Sequence, residues 1–189
     1  MILYIHGFGT TGLHSQKANE LVDYFGEQMI LRPSWPYKPK EAFEMLSDIM
    51  QKENIQTVIG SSFGGFLELQ LAQYFDANYI FINPSLIPDV TMRKALDQSI
   101  TLPNGKEFVI TQQFIDELAI MRKSLKIENI KQNHLYFYLS EDDEILDHFS
   151  IPTIFPKAKK IEYFKNSFHR FEKFKQIIPE IEKINNGSL

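Results

Sequence analysis

The sequence predicts a three-layer α/β fold. Its core is a mostly parallel six-stranded sheet in the order 2-1-3-4-5-6, covered by helices on both faces and carrying one small lid-like insertion. Three observations carry that expectation. Short apolar runs alternate with longer amphipathic stretches, the pattern of strands joined by crossover helices. The runs are continuously apolar, as expected of strands buried on both faces. A glycine-rich stretch, Gly60 to Gly65, stands between one such run and the helix after it, where a sharp strand-to-helix turn needs small residues.

The elements follow in order. Ile2 to Ile5 is the first strand. Lys17 to Phe25 reads as a helix, with Ala18, Leu21, Val22 and Phe25 at helical spacing. Met29-Ile30-Leu31 is a short second strand, and Pro33, Pro36 and Pro39 then break the chain into a loop. Lys40 to Glu53 is a helix with Ala42, Phe43, Leu46, Ile49 and Met50 on one face. Thr57 to Gly60 is the third strand and Phe63 to Phe75 the helix after it. Tyr79 to Ile82 is the fourth strand, stopped by Asn83-Pro84. His134 to Leu139 is the fifth, Lys160 to Phe164 the sixth, and a last amphipathic helix spans about Phe171 to Ile184. The stretch of about 85–132 interrupts this rhythm and is expected to be an insertion in a single domain of residues 1–189. Within it, Thr101 to Val109 reads as a hairpin whose Asn104-Gly105 supplies the positive φ angles of a tight turn. Thr111 caps a helix carrying Phe114, Ile115, Leu118, Met121 and Leu125. Two readings of the insertion stand side by side: a lid over the carboxyl edge of the sheet, and a decorated crossover with no role at the site.

Composition narrows the function classes. At 189 residues one core suffices, since a chain of this size buries roughly 70% of its unfolded surface. Hydrophobic residues make up 43%, and the 16 phenylalanines mark a packed chain and exclude a disordered one. The absence of cysteine excludes disulfides, thiolate metal sites and a cysteine nucleophile, and fits a reducing cytoplasm, the expected compartment. A formal charge of −4 with no basic stripe argues against a nucleic-acid partner. No apolar run reaches membrane-spanning length and no charged leader precedes Ile2, so no membrane span is expected. The composition is compatible with a homo-oligomer.

The chemistry starts at Gly60-Ser61-Ser62-Phe63-Gly64, which fits G-x-S-x-G, the nucleophile turn of α/β-hydrolases. The nucleophile there sits on a strained strand-to-helix turn, so the residues two before and two after it must be very small. Ser62 meets that demand, whereas Ser61 has no glycine two residues before it. No Gly-Lys-Ser/Thr follows, which excludes a P-loop, and the glycines lack dinucleotide-binding spacing.

A serine hydroxyl needs a general base. In α/β-hydrolases the order is serine, acid, histidine. His6 and His14 precede the serine. His134 starts a strand, and His148 is expected on a short helix at the surface. His169 lies in a loop after the last strand and is the expected base. The acid is expected after the fifth strand, within Glu141-Asp142-Asp143-Glu144, with Asp143 preferred, Asp142 the near rival and Asp147 third. The first strand ends in His6-Gly7-Phe8-Gly9. With the expected strand order this loop faces the Ser62 turn across the point where strand order reverses, and the backbone N–H groups of Phe8 and Phe63 become the expected oxyanion donors.

As a set and in this order, His6-Gly7-Phe8, Gly60-Ser61-Ser62-Phe63-Gly64-Gly65, Asn83-Pro84-Ser85-Leu86, Asp143-Glu144-Ile145-Leu146-Asp147 and His169-Arg170-Phe171 resemble the small bacterial YqiA-like esterases over nearly the whole chain. The resemblance implies a compact α/β-hydrolase lacking the first two strands of larger relatives. It implies esterase or acyl-thioesterase activity with Ser62, Asp143 and His169 as triad, and Asn83-Pro84 closing the fourth strand near the site. Members often carry glycine just before the acid and just before the histidine. Here the corresponding stretches are Glu141-Asp142-Asp143 and Asn166-Ser167-Phe168-His169. The expected substrate is a small carboxylic ester or acyl thioester, with no metal or organic cofactor. The rival readings are a triad acting on peptide, lactone or carbon–carbon bonds, and a non-catalytic binding protein that kept the fold.

Overall fold

A computed structural model describes residues 1–188. Along the chain the strands are β1 (Ile2–Ile5), β2 (Ile30–Leu31), β3 (Thr57–Ser61), β4 (Asn78–Ile82), β5 (Ser99–Thr101), β6 (Glu107–Val109), β7 (Leu135–Ser140) and β8 (Lys160–Phe164). The helices are α1 (Gln16–Phe25), α2 (Pro39–Lys52), α3 (Phe63–Leu71), α4 (Pro88–Thr91), α5 (Gln112–Ser124), α6 (Ile151–Ile154) and α7 (Phe174–Asn185). Six strands form one parallel sheet in the order β2-β1-β3-β4-β7-β8, while β5 and β6 pair only with each other. With the hairpin set aside, this is the expected 2-1-3-4-5-6 order.

Successive strand residues point to opposite faces, and each face meets its own helices. Leu3, Ile5, Val58, Phe81 and Phe137 pack with α2, α3 and α5. Ile2, Tyr4, Ile59, Ile80, Ile82, Tyr136 and Tyr138 pack with α1 and α7. Both faces are therefore apolar, which is why β1, β3 and β7 read as unbroken hydrophobic runs. Every residue of α3 is buried, Glu68 and Gln70 included.

Several boundaries differ from the expectation. α3 ends at Leu71, four residues before Phe75, because Leu71 O turns back to accept from the Tyr74 and Phe75 N–H groups. Residues 27–29 wind into a 3₁₀ turn, leaving β2 only two residues long. His134 lies in a 3₁₀ turn ahead of β7 instead of in the strand. α7 begins at Phe174, since residues 168–173 are spent in turns. In the hairpin only Gly105 lies at positive φ (79°). The Gly105 N–H donates to Leu102 O and the Leu102 N–H to Lys106 O, which gives a three-residue loop in place of a two-residue turn. Thr111 does cap α5, accepting from the Phe114 N–H at 3.2 Å.

Between β4 and β7 the chain forms α4, the hairpin and α5. Arg122 on α5 clamps Asp89 on α4 through Nε at 2.6 Å and Nη2 at 3.0 Å. No helix among the described residues is long and apolar enough to cross a membrane.

Candidate active site

The site lies where strand order reverses, at the carboxyl ends of β1 and β3. Ser62 joins β3 to α3 at φ 53° and ψ −117°, a conformation that L side chains rarely adopt. Three glycines make the turn fit. A Cβ on Gly60 would lie 2.7 Å from Gly64 O, one on Gly64 would lie 2.7 Å from His6 O, and one on Gly65 would lie 2.6 Å from Pro84 Cβ. The Ser62 N–H donates to Ile82 O at 3.0 Å, which ties the turn to the end of β4.

The structure brings Ser62, His169 and Asp143 together although they lie far apart in the chain. Ser62 Oγ is 3.0 Å from His169 Nε2, and His169 Nδ1 is 2.9 Å from Asp143 Oδ2 and 3.1 Å from Oδ1. A carboxylate only accepts, so the tautomer with hydrogen on Nδ1 satisfies both contacts and leaves Nε2 as the acceptor for the serine hydroxyl. The Asp143 side chain is 1% exposed and that of His169 is 16% exposed. Burial opposes ionisation of Asp143. Hydrogen bonds from His148, His169 and the Leu146 and Ile145 N–H groups outweigh it and hold the carboxyl well below the usual carboxylate range.

The rival acids have other partners. Asp142 Oδ1 accepts from the Ser167 and Phe168 N–H groups at 3.1 and 3.3 Å, and these bonds lower its pKa. Asp147 Oδ1 accepts from the Phe149 N–H. Glu144 accepts from the His169 N–H at 3.0 Å. Asp142 and Glu144 thus hold the three successive N–H groups that lead into the His169 side chain.

One residue here escaped the sequence reading, and a second was read without its role. His148, expected on a surface helix, is in a loop with its side chain 3% exposed, and its Nε2 lies 2.9 Å from Asp143 Oδ2. The helix starts only at Ile151. The chain curls because Asp143 Oδ1 accepts from the Ile145 and Leu146 N–H groups, a side-chain turn that carries no periodic signal. Asn83 was placed near the site by the resemblance alone. Its Nδ2 lies 3.0 Å from Ser140 Oγ, 2.9 Å from Phe168 O and 3.1 Å from His169 O, while its Oδ1 accepts from the Ser140 N–H at 2.7 Å. One buried amide thus links the ends of β4 and β7 to the histidine loop.

Across the crevice, Gly7 lies against Ser62: a Cβ on it would be 3.5 Å from the serine Cβ. Phe8 follows, its ring 5.5 Å from Phe63, 5.6 Å from Phe108 and 5.7 Å from Phe114. The hairpin and α5 therefore pack directly on the loop that faces the serine. Phe63 is the first residue of α3, so its N–H precedes the first intrahelical bond. His6 is buried and stacks on Trp35 at 4.7 Å, its Nδ1–H donates to Gly7 O, and burial lowers its pKa to about 4. A cavity of about 950 Å³ opens onto Ser62 and His169 and runs along Phe8, Lys17, Ile145 and Arg170. Among the described residues no group of three or more His, Asp or Glu side chains is arranged to hold a metal ion.

Sheet order, the turn at Ser62 and the loop facing it define an α/β-hydrolase. The chain belongs to the uncharacterised protein family UPF0227, which matches residues 1–186 and is the YqiA-like family its motifs resemble. Solved structures share the fold. A monoacylglycerol lipase from Paleococcus ferrophilus has a TM-score of 0.70 at 15% identity, covering 98% of this chain and 93% of the other. Est1E from Butyrivibrio proteoclasticus has 0.67 at 11% identity, covering 99% and 87%. An esterase domain from Rhodothermus marinus has 0.63 at 19% identity, covering 95% and 83%. At these identities the likeness is one of fold.

Proposed function

We propose that the protein is a serine hydrolase of carboxylic esters or acyl thioesters that works through an acyl-enzyme on Ser62. One observation carries the reading: Ser62 Oγ, His169 and Asp143 form a continuous hydrogen-bonded line with links of 3.0 and 2.9 Å. Membership of a YqiA-like family, and a fold shared with proteins described as lipases and esterases, support it.

In the proposed reaction His169 Nε2 takes the proton of Ser62 as Oγ attacks the carbonyl carbon. The Phe8 and Phe63 N–H groups stabilise the resulting oxyanion. The carbon–oxygen or carbon–sulfur bond breaks, and the leaving alcohol or thiol departs with the proton from His169. Water then attacks the acyl-enzyme by the same route and releases the acid. Asp143 holds the histidine tautomer and stabilises the imidazolium without taking the proton. Ile145 borders the cavity above Ser62 and, with Phe149 and Phe168, exposes apolar surface on the loops that carry the acid and the histidine, which suits an acyl group.

A fluorophosphonate probe and a panel of p-nitrophenyl esters and acyl thioesters test the reading. The wild type is expected to be labelled once, at Ser62, and Ser62→Ala to lose both labelling and turnover, the latter by on the order of 10⁶-fold. A folded wild type that is neither labelled nor active overturns the function. A Ser62→Ala protein labelled as well as wild type overturns the nucleophile.

A further inference from the structure

Asp143 carries a second imidazole for which a serine–histidine–acid triad has no need. Its Oδ1 accepts from the Ile145 and Leu146 N–H groups at 2.8 and 2.9 Å and also lies 3.1 Å from His169 Nδ1. Its Oδ2 faces two rings, His169 Nδ1 and His148 Nε2, each at 2.9 Å. Because the carboxylate only accepts, His148 carries its hydrogen on Nε2 and donates. Both side chains are almost fully buried, 3% exposed for His148 and 1% for Asp143, where a charge-assisted bond is strong.

The His148 ring has no other partner among the described residues. Its Nδ1 is buried without a hydrogen bond, and the contacts made by its backbone carbonyl, with Tyr163 Oη at 3.2 Å and the Ile151 N–H at 3.1 Å, do not need an imidazole. A position filled for packing alone is better served by an apolar side chain, which orphans no polar atom. Among the described residues, the one hydrogen bond this ring makes is to Asp143.

We propose that His148 is a positioning residue of the active site: its Nε2–H keeps the Asp143 carboxylate aimed at His169 Nδ1, so that Ser62, His169, Asp143 and His148 work as one unit. The inference rests on the hydrolase reading above. The titratable groups bordering the cavity of about 280 Å³ beside the ring are Glu141, Asp143, Glu144, Asp147 and Tyr163, with His169 on the far side of Asp143.

The test compares His148→Phe, which fills the space without a donor, with His148→Gln, whose amide nitrogen can take the place of Nε2. With a p-nitrophenyl ester, His148→Phe is expected to lose about 10- to 100-fold in kcat with KM unchanged. Its acidic limb in kcat/KM moves to higher pH, because an unshared Asp143 charge favours the His169 imidazolium. His148→Gln restores most of kcat and the wild-type limb. Nitrogen-15 histidine NMR reads the bond without turnover. The wild type is expected to show two downfield ring N–H protons that vanish in Asp143→Ala, and His148→Gln only one. A His148→Phe enzyme with wild-type kcat and pH profile overturns the proposal. So does equal, pH-independent loss in both variants, or a single Asp143-dependent proton in the wild type. An active wild type matched by His148→Phe sinks the positioning role alone, whereas a wild type with both protons and no hydrolysis sinks the function and the role together.

Discussion

At the scale of single residues, the site is a set of conformations that local preference alone would not choose. Ser62, Asn83, Asn166, Phe168 and Phe171 all lie at positive φ, and each such position costs about 1–3 kcal/mol unless its surroundings enforce it. The enforcers are visible. Phe168, directly before the histidine, is held by Asp142 at its N–H and by Asn83 and Ser140 at its carbonyl. This separates two neighbouring acids. Asp143 meets the imidazole and Asp142 the loop backbone. Asp143→Asn is therefore expected to lower kcat by about 10⁴-fold by disturbing the histidine tautomer. Asp142→Asn should cost far less and should act on the loop. Steady-state kinetics of the two purified variants decide it, and a larger loss for Asp142→Asn would reverse the assignment.

At the scale of elements, three strand ends and one loop are tied together by a few side chains. Asn83 at the end of β4 reaches Ser140 at the end of β7 and the carbonyls of Phe168 and His169 after β8. Neighbouring parallel strands bring these ends side by side, and the amide converts that adjacency into a fixed histidine loop. Asn83→Ala takes a partner from the Ser140 N–H and from the His169 carbonyl, while the Phe168 carbonyl keeps Ser140 Oγ and the Phe171 N–H. The expected result is a loss of about 1–3 kcal/mol in unfolding free energy, read by urea denaturation, together with a kcat loss larger than any change in KM. Full stability and full kcat in that variant would show that the loop is held by other means. The hairpin and α5 act in the same way on the opposite wall, where Phe108 and Phe114 pack on Phe8.

At the scale of the whole molecule, one buried acid stands against the core. Glu68 lies on the fully buried α3, and neither of its carboxyl oxygens has a hydrogen-bond partner among the described residues. Burial pushes its pKa well above the ordinary carboxylate range, and the backbone of Ile80 and Gly60, close by but outside hydrogen-bond geometry, offsets only part of the rise. Phe63, Phe66, Leu67, Leu69 and Leu71 on the same helix, at about 1.5–3 kcal/mol each, outweigh a neutral carboxyl without a partner, at about 1–3 kcal/mol. Because the folded value lies above the unfolded one, near 4.3, the contribution is full below that pH. It falls by up to about 1.4 kcal/mol per pH unit as pH rises towards the folded value. Glu68→Gln removes the titration. Its Tm is expected to gain on that of the wild type between about pH 5 and pH 7 in thermal scans, and parallel curves would contradict the account.

The sequence by itself determined the fold class, the strand order and the turn at Ser62. Those follow from rules that act over a few residues: an apolar run buried on both faces reads as such, and a strained turn admits only glycine at Gly60 and Gly64. Chain order also singled out His169. Where polar side chains find their partners was left to the tertiary structure. Asp142 and Asp143 are adjacent and equally acidic, and the sequence prefers Asp143 with Asp142 as its near rival. Which of them meets the histidine depends on how the ends of β7 and β8 align and how the chain curls after Asp143. His148 reads as a surface residue on a short helix, and only that curl buries it against the carboxylate. Asn83 reads as a strand stop, yet its partners lie 57, 85 and 86 residues away. Hydrogen bonds between loops so far apart are set by sheet register, and no local pattern encodes it.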